Sequence, residues 1–329
     1  MRTRLLLIAS VCVVFVLCLL SLAFGARTVP PGDVLAVLTG HGSPDLEALV
    51  WGGRLPRTLL GLLVGAALGL AGAVMQSLTR NPLGDPGLLG ISAGAAFGVV
   101  VAVATTGVAS LYGHLGFAFA GALVASVVVY LLGSAGRGGA TPVKLALAGV
   151  AITALLTSLT SGIALVDPVA LNRYRFWAAG SLAGQDAGVA LRVLPFVLAG
   201  VVLALALAPA LNSMALGDDM ATALGRRVGL VRLQGAVAIT LLTGSAVAVV
   251  GPIVFVGLVV PHVARAITGP DHRWLLPFSM VLAPILVLAA DIAGRLIARP
   301  GETEVGIVVA FTGAPFFIAL VRRRRLAEL

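Results

Sequence analysis

The chain has 329 residues; 59% are hydrophobic, 11% are charged, and the formal net charge is +9. Soluble domains average about 25% charged residues, so this chain has too few to cover a water-facing surface, and a soluble protein is excluded. The positive balance then indicates the positive-inside bias of a membrane protein, and no nucleic-acid partner is expected.

The sequence contains repeated apolar runs that are long enough for membrane-spanning helices, which need about 20 residues each. Strands of about ten residues with alternating polarity, which a membrane barrel needs, do not occur in it. We therefore predict an all-α polytopic membrane protein with about ten transmembrane helices, forming a single transmembrane domain over residues 1–329. The expected spans are 5–25, 57–78, 87–106, 112–133, 143–165, 189–210, 233–250, 252–268, 275–291 and 305–321.

The first apolar run, Leu5 to Phe24, follows Arg2 and Arg4. A cleaved signal peptide is the competing interpretation, but the apolar core of a signal peptide has only about 7–15 residues. We therefore expect a retained first helix. Cys12 and Cys18 lie within it and show neither disulfide nor metal spacing, so they are interpreted as apolar packing residues.

Glycine recurs at every fourth residue in the second and third spans. Because glycine costs about 1 kcal/mol in a helix interior, such rows need a reason. Small residues at this spacing let helix backbones approach closely, which predicts tight helix packing; surfaces that slide between two transport states are a compatible interpretation. The rows are Gly61, Gly65, Gly69 and Gly72 in the second span and Gly90, Gly94 and Gly98 in the third.

The seventh and eighth spans lie in one run of 32 uncharged residues between Arg232 and Arg265. The run is too long for one helix, and Gly251-Pro252 near its middle permits a sharp turn. We predict two short spans joined by a tight turn there. Short spans interrupted by glycine or proline are typical of transport proteins.

Ten spans place both termini on one side of the membrane. If that side is the cytoplasm, cytoplasmic segments contain 14 Lys and Arg residues and outer segments contain eight. The run Arg322–Arg325 after the last span is the strongest single element of this bias. We predict a multi-pass protein of the cytoplasmic (inner) membrane with both termini in the cytoplasm.

The sequence has no energy-converting site of its own. The only lysine, Lys144, follows Val143, so the phosphate-binding pattern G-x-x-x-x-G-K-[ST] is absent. The four histidines are scattered, no H-E-x-x-H occurs, and neither a metal site nor a catalytic constellation is predicted. No span centre carries an evident series of Asp, Glu or His for proton coupling. If the protein transports a cargo uphill, the energy comes from elsewhere.

The most specific segment is 76–92, QSLTRNPLGDPGLLGIS. It resembles the permease subunits of bacterial ABC importers for iron-siderophores, haem and cobalamin, the FecCD family. The resemblance extends in order from about residue 30 to the C-terminus, and finer features, such as residues 175–182 (RFWAAGSL), are most similar to the ferric-enterobactin permease group. Other matching segments are Arg54-Leu55-Pro56-Arg57, Gly251-Pro252-Ile253, Asp271-His272-Arg273 and Gly313-Ala314-Pro315.

This resemblance implies the type II ABC importer permease architecture and a ferric siderophore as cargo. It also implies two ATPase subunits that hold ATP and Mg, a substrate-binding protein, and a second permease, with a heterodimer favoured over a homodimer; no cofactor is expected on this chain itself. Haem or cobalamin are alternative cargoes. An ion-coupled secondary carrier is the alternative from another class, and a membrane-embedded enzyme is a third.

By the same resemblance, the cytoplasmic loop 211–225, extending to about 230, couples to the ATPase. Gly217 would interrupt the chain there and Asp218 would cap the following helix. An ordinary amphipathic connector is the alternative. The predicted coupling residues are Leu216, Gly217, Asp218, Asp219, Ala221, Ala223, Leu224 and Gly225.

The resemblance further implies that Arg54, Arg57 and Arg295 dock the binding protein through its glutamates, since the guanidinium fork pairs carboxylates in a bidentate manner. The alternative is that these side chains snorkel to the membrane surface.

Five residues are predicted to line the transport pathway or its gates. Asn81-Pro82 should end the second span in an irregular segment near the cytoplasmic gate, because proline excludes the preceding residue from the helical region. The segment 166–182 should form an outer gate, for which an interfacial aromatic anchor is the alternative. The residues are Gln76, Asn81, Pro82, Phe176 and Trp177.

Overall fold

The structure is a computed structural model that describes residues 2–25, 27–106, 111–136 and 141–322. Its α-helices are α1 (Arg2–Ala23), α2 (Pro31–Leu38), α3 (Pro44–Leu49), α4 (Leu55–Thr79), α5 (Ile91–Thr106), α6 (Leu111–Ser134), α7 (Pro142–Val166), α8 (Pro168–Ala178), α9 (Ala187–Ala206), α10 (Ala208–Met214), α11 (Asp218–Ala223), α12 (Val228–Val250), α13 (Val256–Thr268), α14 (His272–Ile297) and α15 (Val305–Arg322). A π-helical turn, Val50–Arg54, leads into α4, and a 3₁₀ turn, Pro86–Leu89, precedes α5.

The predicted fold class is confirmed. Among the described residues, seven helical segments are long and apolar enough to cross a membrane, and three shorter apolar helices lie within α5, α13 and α15. Each of the ten predicted spans coincides with one of these ten segments. The two ends of the chain are called inner and outer below according to the predicted orientation. Part of the charge bias behind that orientation, Arg137 and Arg323–Arg325, lies outside the described residues.

Short helices occupy the outer segments that hydropathy alone leaves as loops. Prolines stand at the first positions of α2, α3 and α8, where the missing N–H costs nothing. The carboxylate of Asp167 caps α8 by accepting from the backbone N–H groups of Val169 and Ala170 at 2.9 and 3.2 Å. Hydropathy misses these helices because they have only 8, 6 and 11 residues, too few to cross a membrane.

The glycine rows bring helix backbones into contact, as predicted. A methyl group added at Gly65 would lie 2.7 Å from the backbone of Pro284 in α14, and one at Gly72 would overlap the carbonyl oxygen of Gly257 in α13. In the third span, Gly94 and Gly98 contact the α6 backbone in the same way. Tight packing is therefore the role of these rows, whereas sliding stays a prediction.

The break at Gly251 is confirmed. The prediction of two short spans is wrong for the seventh span. α12 begins at Val228 and has 23 residues, because Arg232 lies inside the helix and its charge is paired with Asp218 at 2.7 Å. Only α13, with 13 residues, is short. The connection is not a tight turn but the segment 251–255.

α13 begins about halfway along α4, since Gly257 lies against both Leu68 and Gly72. Backbone that is neither helical nor paired in a sheet is tolerated at membrane depth only where protein surrounds it or it lines a cavity. At the start of the segment 251–255, the backbone of Trp177 and Gly180 lies against Gly251.

We predict that Gly72→Ala destabilises the protein by about 1–3 kcal/mol, because the methyl group overpacks the contact with α13. Gly162→Ala is the matched control, since Gly162 lies within α7 and has open space around it. The control should be neutral or slightly stabilising. Thermal unfolding of the detergent-purified proteins, followed by tryptophan fluorescence, measures both; equal midpoints would contradict the packing role of Gly72.

Candidate functional site

The outer ends of α4 and α14 are joined by a buried ion cluster around Asp291. The carboxylate of Asp291 accepts from Nη2 of Arg57 at 2.8 Å on one oxygen and from Nη2 of Arg295 at 2.8 Å on the other. Arg57 also pairs with Glu302 at 2.5 Å. Asp291 was expected at a membrane surface, but its side chain is only 1% exposed. Two arginines make this burial possible, since a lone buried carboxylate would be costly.

The side chains of the three predicted docking arginines are buried in the protein interior. Arg54, Arg57 and Arg295 are 6%, 8% and 2% exposed. Arg54 donates to the carbonyl oxygens of Leu22 and Ala23 at 2.5 and 2.8 Å, closing the end of α1. In this arrangement the three side chains bond groups at helix ends inside the protein, which differs from snorkelling to the membrane surface. Docking of a binding protein through them stays a prediction.

Arg295 satisfies the same end of α1. It donates to the carbonyl oxygens of Ser21 and Phe24 at 3.0 and 2.8 Å and to the Ser21 hydroxyl at 2.8 Å. The last carbonyls of a helix lack intrahelical partners, so cationic side chains suit this position.

The cluster predicts unequal effects for its two acids. Asp291→Asn should destabilise the protein by about 3–5 kcal/mol, because it leaves buried arginines without their shared counter-ion. Glu302→Gln should cost less than about 1 kcal/mol, because Glu302 is 34% exposed. Urea or thermal unfolding in detergent measures the difference, and similar losses for the two variants would overturn the account.

A cavity of about 430 Å³ opens between α8 and the outer ends of α5, α9 and α12. Phe176 is exposed beside it. The indole N–H of Trp177 is shielded from solvent and has no hydrogen-bond partner in the part of the chain that the structure describes. The cavity thus combines aromatic surface with unused hydrogen-bonding capacity, and a gate formed by Phe176 and Trp177 stays a prediction. The lining residues include Val99, Arg173, Phe176, Trp177, Gln185, Val189, Ala248, Val249, Val250 and Glu304.

The wall of this cavity is fastened to the end of α12. The backbone N–H of Ser181 donates to the Val250 carbonyl oxygen at 2.8 Å, and the Gln185 amide donates to that of Val249 at 3.0 Å. Gly180 has φ +72 and lies against the backbone of Pro252, where a side chain would not fit. The outer segment 179–185 therefore follows any movement of the break at Gly251.

The other predicted pathway residues do not meet at one place. Gln76 is fully buried, and its amide nitrogen donates to the Leu258 carbonyl oxygen at 3.1 Å. The side-chain oxygen of Gln76 has no partner among the described residues. Asn81 is exposed and accepts from the backbone N–H of Leu83 at 2.9 Å, in a turn after the end of α4. Gln76 thus holds α13 against α4, whereas Asn81 and Pro82 lie at the inner mouth. Their roles in transport stay predictions.

Sequence reasoning missed the position of Asp85. It counts as a cytoplasmic acid by order in the chain, yet the next residue, Pro86, contacts Gly257 about halfway along α4. Its carboxylate accepts from the Gly87 N–H at 2.7 Å and lines a cavity of about 30 Å³ with Thr243, whose hydroxyl has no partner. An acid therefore lies within the helical bundle, although no span centre carries a series of them.

The coupling segment is defined here as residues 208–225, and it differs from prediction in its start, which lies at α10 rather than at residue 211, and in its capping residue. Its first part is helical, because α10 buries Leu211 and Met214 against the core. The residue that caps α11 is Gly217 at φ +109, not Asp218. Asp218 lies in the first turn and instead pairs with Arg80 and Arg232 at 2.5 and 2.7 Å.

The coupling segment presents an apolar surface to solvent at the inner end. Ala221 is buried against the chain, whereas Leu216, Met220 and Leu224 are largely exposed. Met220 in α11 and Leu224 at its end are four residues apart and lie on one side of that helix, and Leu216 comes just before the glycine that caps it. These three residues are called the inner apolar patch below. Asp219, Ala223 and Gly225 are also exposed around it.

Comparisons with known proteins agree with this architecture. The model of the FecCD transport family matches residues 13–323. The ferric enterobactin transport system permease protein FepD of Escherichia coli K12 is 53% identical over 306 residues, covering 93% of this chain and 91% of FepD. The siderophore transport system permease protein YfiZ of Bacillus subtilis is 39% identical over 96% of each chain. The hemin transport system permease protein HmuU of Yersinia pestis is 40% identical over 83% of this chain and 82% of its own.

A solved structure shares the fold. A metal-chelate type ABC transporter in an inward-facing conformation superposes with a TM-score of 0.86 at 28% identity, covering 97% of this chain and 99% of that one. The helical architecture described above is therefore that of an ABC transporter permease.

Proposed function

Because the chain belongs to the FecCD transport family, we propose that it is the membrane-spanning permease subunit of an ATP-driven ABC importer whose cargo is a ferric siderophore. The observation that carries the proposal is the match to siderophore permeases over nearly the whole chain. The inner apolar patch supports it further, since an exposed apolar surface at the inner end suits a partner subunit.

The proposed cargo follows the relatives named for siderophores, and the outer cavity suits it. Aromatic side chains line the cavity, so it offers surface on which aromatic rings can pack. Haem is the second candidate, supported by the 40% identity to a hemin permease. Cobalamin remains the third.

The proposed machine contains more than this chain. Two ATPase subunits would hold ATP and Mg and bind the inner apolar patch, since the sequence has no phosphate-binding loop. A second permease would pair with the chain, as a heterodimer rather than a homodimer. A substrate-binding protein would dock at the outer end, near the buried arginine cluster. The chain itself would act as one transmembrane domain with both termini in the cytoplasm, and ATP hydrolysis would occur on the partner subunits.

An ion-coupled carrier is the alternative from another class, and Asp85 and Asp291 give it acids within the helical bundle. The named relatives are permease proteins of siderophore transport systems, which favours the importer. A membrane-embedded enzyme finds no support in the arrangement described above.

The function is tested by uptake of radio-iron-labelled ferric enterobactin into proteoliposomes that contain the chain with its ATPase, second permease and binding protein. We expect uptake that requires ATP hydrolysis and survives collapse of proton and sodium gradients. Competition with unlabelled hemin and cobalamin identifies the cargo. Uptake driven by an ion gradient without ATP would contradict the proposal.

The inner apolar patch gives a separate prediction. Leu224→Arg should reduce retention of the ATPase subunits about fivefold or more, because a charge replaces an apolar contact, while the thermal midpoint stays unchanged. The control is Leu35→Arg, an equally exposed leucine on α2 at the outer end. Co-purification through a tag on this chain measures retention; equal retention by both variants would show that the patch is not the ATPase contact.

A further inference from the structure

A series of hydrogen bonds joins α10 to the inner ends of α14 and α4. The amide nitrogen of Asn212 donates to the Asp271 carboxylate at 2.7 Å, and the Asn212 oxygen accepts from the backbone N–H of His272 at 2.9 Å. The His272 ring extends the series, with Nδ1 2.7 Å from the same oxygen and Nε2 2.6 Å from the Ser77 hydroxyl. Three helices therefore meet at one imidazole ring.

The direction of donation is the same along the whole series. Because the amide nitrogen of Asn212 faces a carboxylate, its oxygen accepts, so Nδ1 of His272 carries the proton. Nε2 then accepts from the single hydroxyl proton of Ser77, which is shared with the Ala73 carbonyl oxygen at 2.7 Å. Hydrogen bonds from the Arg273 N–H and from Asn212 lower the pKa of the Asp271 carboxyl, which is anionic at neutral pH. Removing Asn212 or Ser77 leaves a ring nitrogen of the buried His272 without its partner.

A second connection runs from α11 to the same end of α4. Asp218 pairs with Arg80, which ends α4, and with Arg232 in α12. Ser77 and Arg80 lie about one helical turn apart. The coupling segment is thus attached to the inner end of α4 at two adjacent points, once from α10 and once from α11.

The inner end of α4 is in direct contact with α13 and can transmit a displacement to it. Gln76, next to Ser77, is bonded to the backbone of α13, and Gly72 lies against Gly257 one turn further. Backbones in direct contact transmit movement with little slack, because no flexible side chain lies between them.

We propose that Asn212, His272 and Ser77 are positioning residues of the import cycle, which make the inner end of α4 follow the coupling segment. The inference rests on the proposed function, because it assumes that ATPase subunits displace that segment. On this proposal the three residues act through α4 and not by contact with ATP or cargo. Without them, ATP is hydrolysed but α4 no longer moves with each cycle.

The test measures ATP hydrolysed per ferric enterobactin imported, in proteoliposomes with the complete transporter. Ser77→Ala removes one hydroxyl from the series. Ser158→Ala is its matched control, because both hydroxyl oxygens lie near the carbonyl oxygen four residues earlier, at 2.7 and 2.8 Å, but Ser158 bonds no histidine among the described residues. We expect the ratio to rise about threefold or more for Ser77→Ala, the scale of one lost hydrogen bond to a buried group, and to stay unchanged for Ser158→Ala.

Asn212→Leu should raise the same ratio further, with ATPase subunits still bound. If Asn212→Leu does not assemble, Ser77→Ala decides the matter alone. Equal ratios for Ser77→Ala and Ser158→Ala would overturn the inference. Failure of the wild-type protein to import the siderophore with ATP would instead contradict the proposed function, so the two failures are distinguishable.

Discussion

The close backbone contact of α4 with α13 and α14 is the constraint on which the other features depend. The glycine face of α4 lets the two helices approach without intervening side chains. As a result, α13 can begin halfway along α4, and the irregular segments before α5 and α13 are enclosed by protein rather than by lipid. The same helix carries Arg57 near its outer end and Ser77 near its inner end. The candidate sites are therefore attached to one nearly rigid element.

The two ends of α4 are held by interactions of different strength. At the outer end, Arg57 belongs to a buried ion cluster, and breaking such a cluster costs about 3–5 kcal/mol. At the inner end, the hydroxyl of Ser77 makes a neutral hydrogen bond whose net contribution is about 0.5–1.5 kcal/mol. Because the buried ion cluster fixes the outer end, the inner end of α4 is the end that moves when the coupling segment is displaced.

Much of the fold is predictable from sequence, because a long apolar run by itself indicates a membrane-spanning helix. The ten spans and the break at Gly251 follow from hydropathy and from one glycine-proline pair. The short outer helices do not follow from hydropathy, since their caps resemble those of ordinary turns. The end of α12 is predictable, but its start is not, because nothing local indicates that Arg232 is neutralised by Asp218.

The site is less predictable, because its partners are distant in sequence. An arginine at a helix end looks alike whether it faces solvent or a buried acid, and Arg57 meets Asp291 across 234 positions. Asp85 falls in the loop between two predicted spans, because hydropathy does not show where a chain re-enters the helical bundle. The hydrogen bonds of His272 join three helices, and no local pattern predicts such a meeting.

The central claim is that the coupling segment and the inner end of α4 move together when the ATPase subunits bind ATP. Amide hydrogen exchange of the complete transporter, with and without ATP, tests it most directly. The account predicts that protection changes at the same time in residues 76–85 and 208–223. A change confined to residues 208–223 would contradict it.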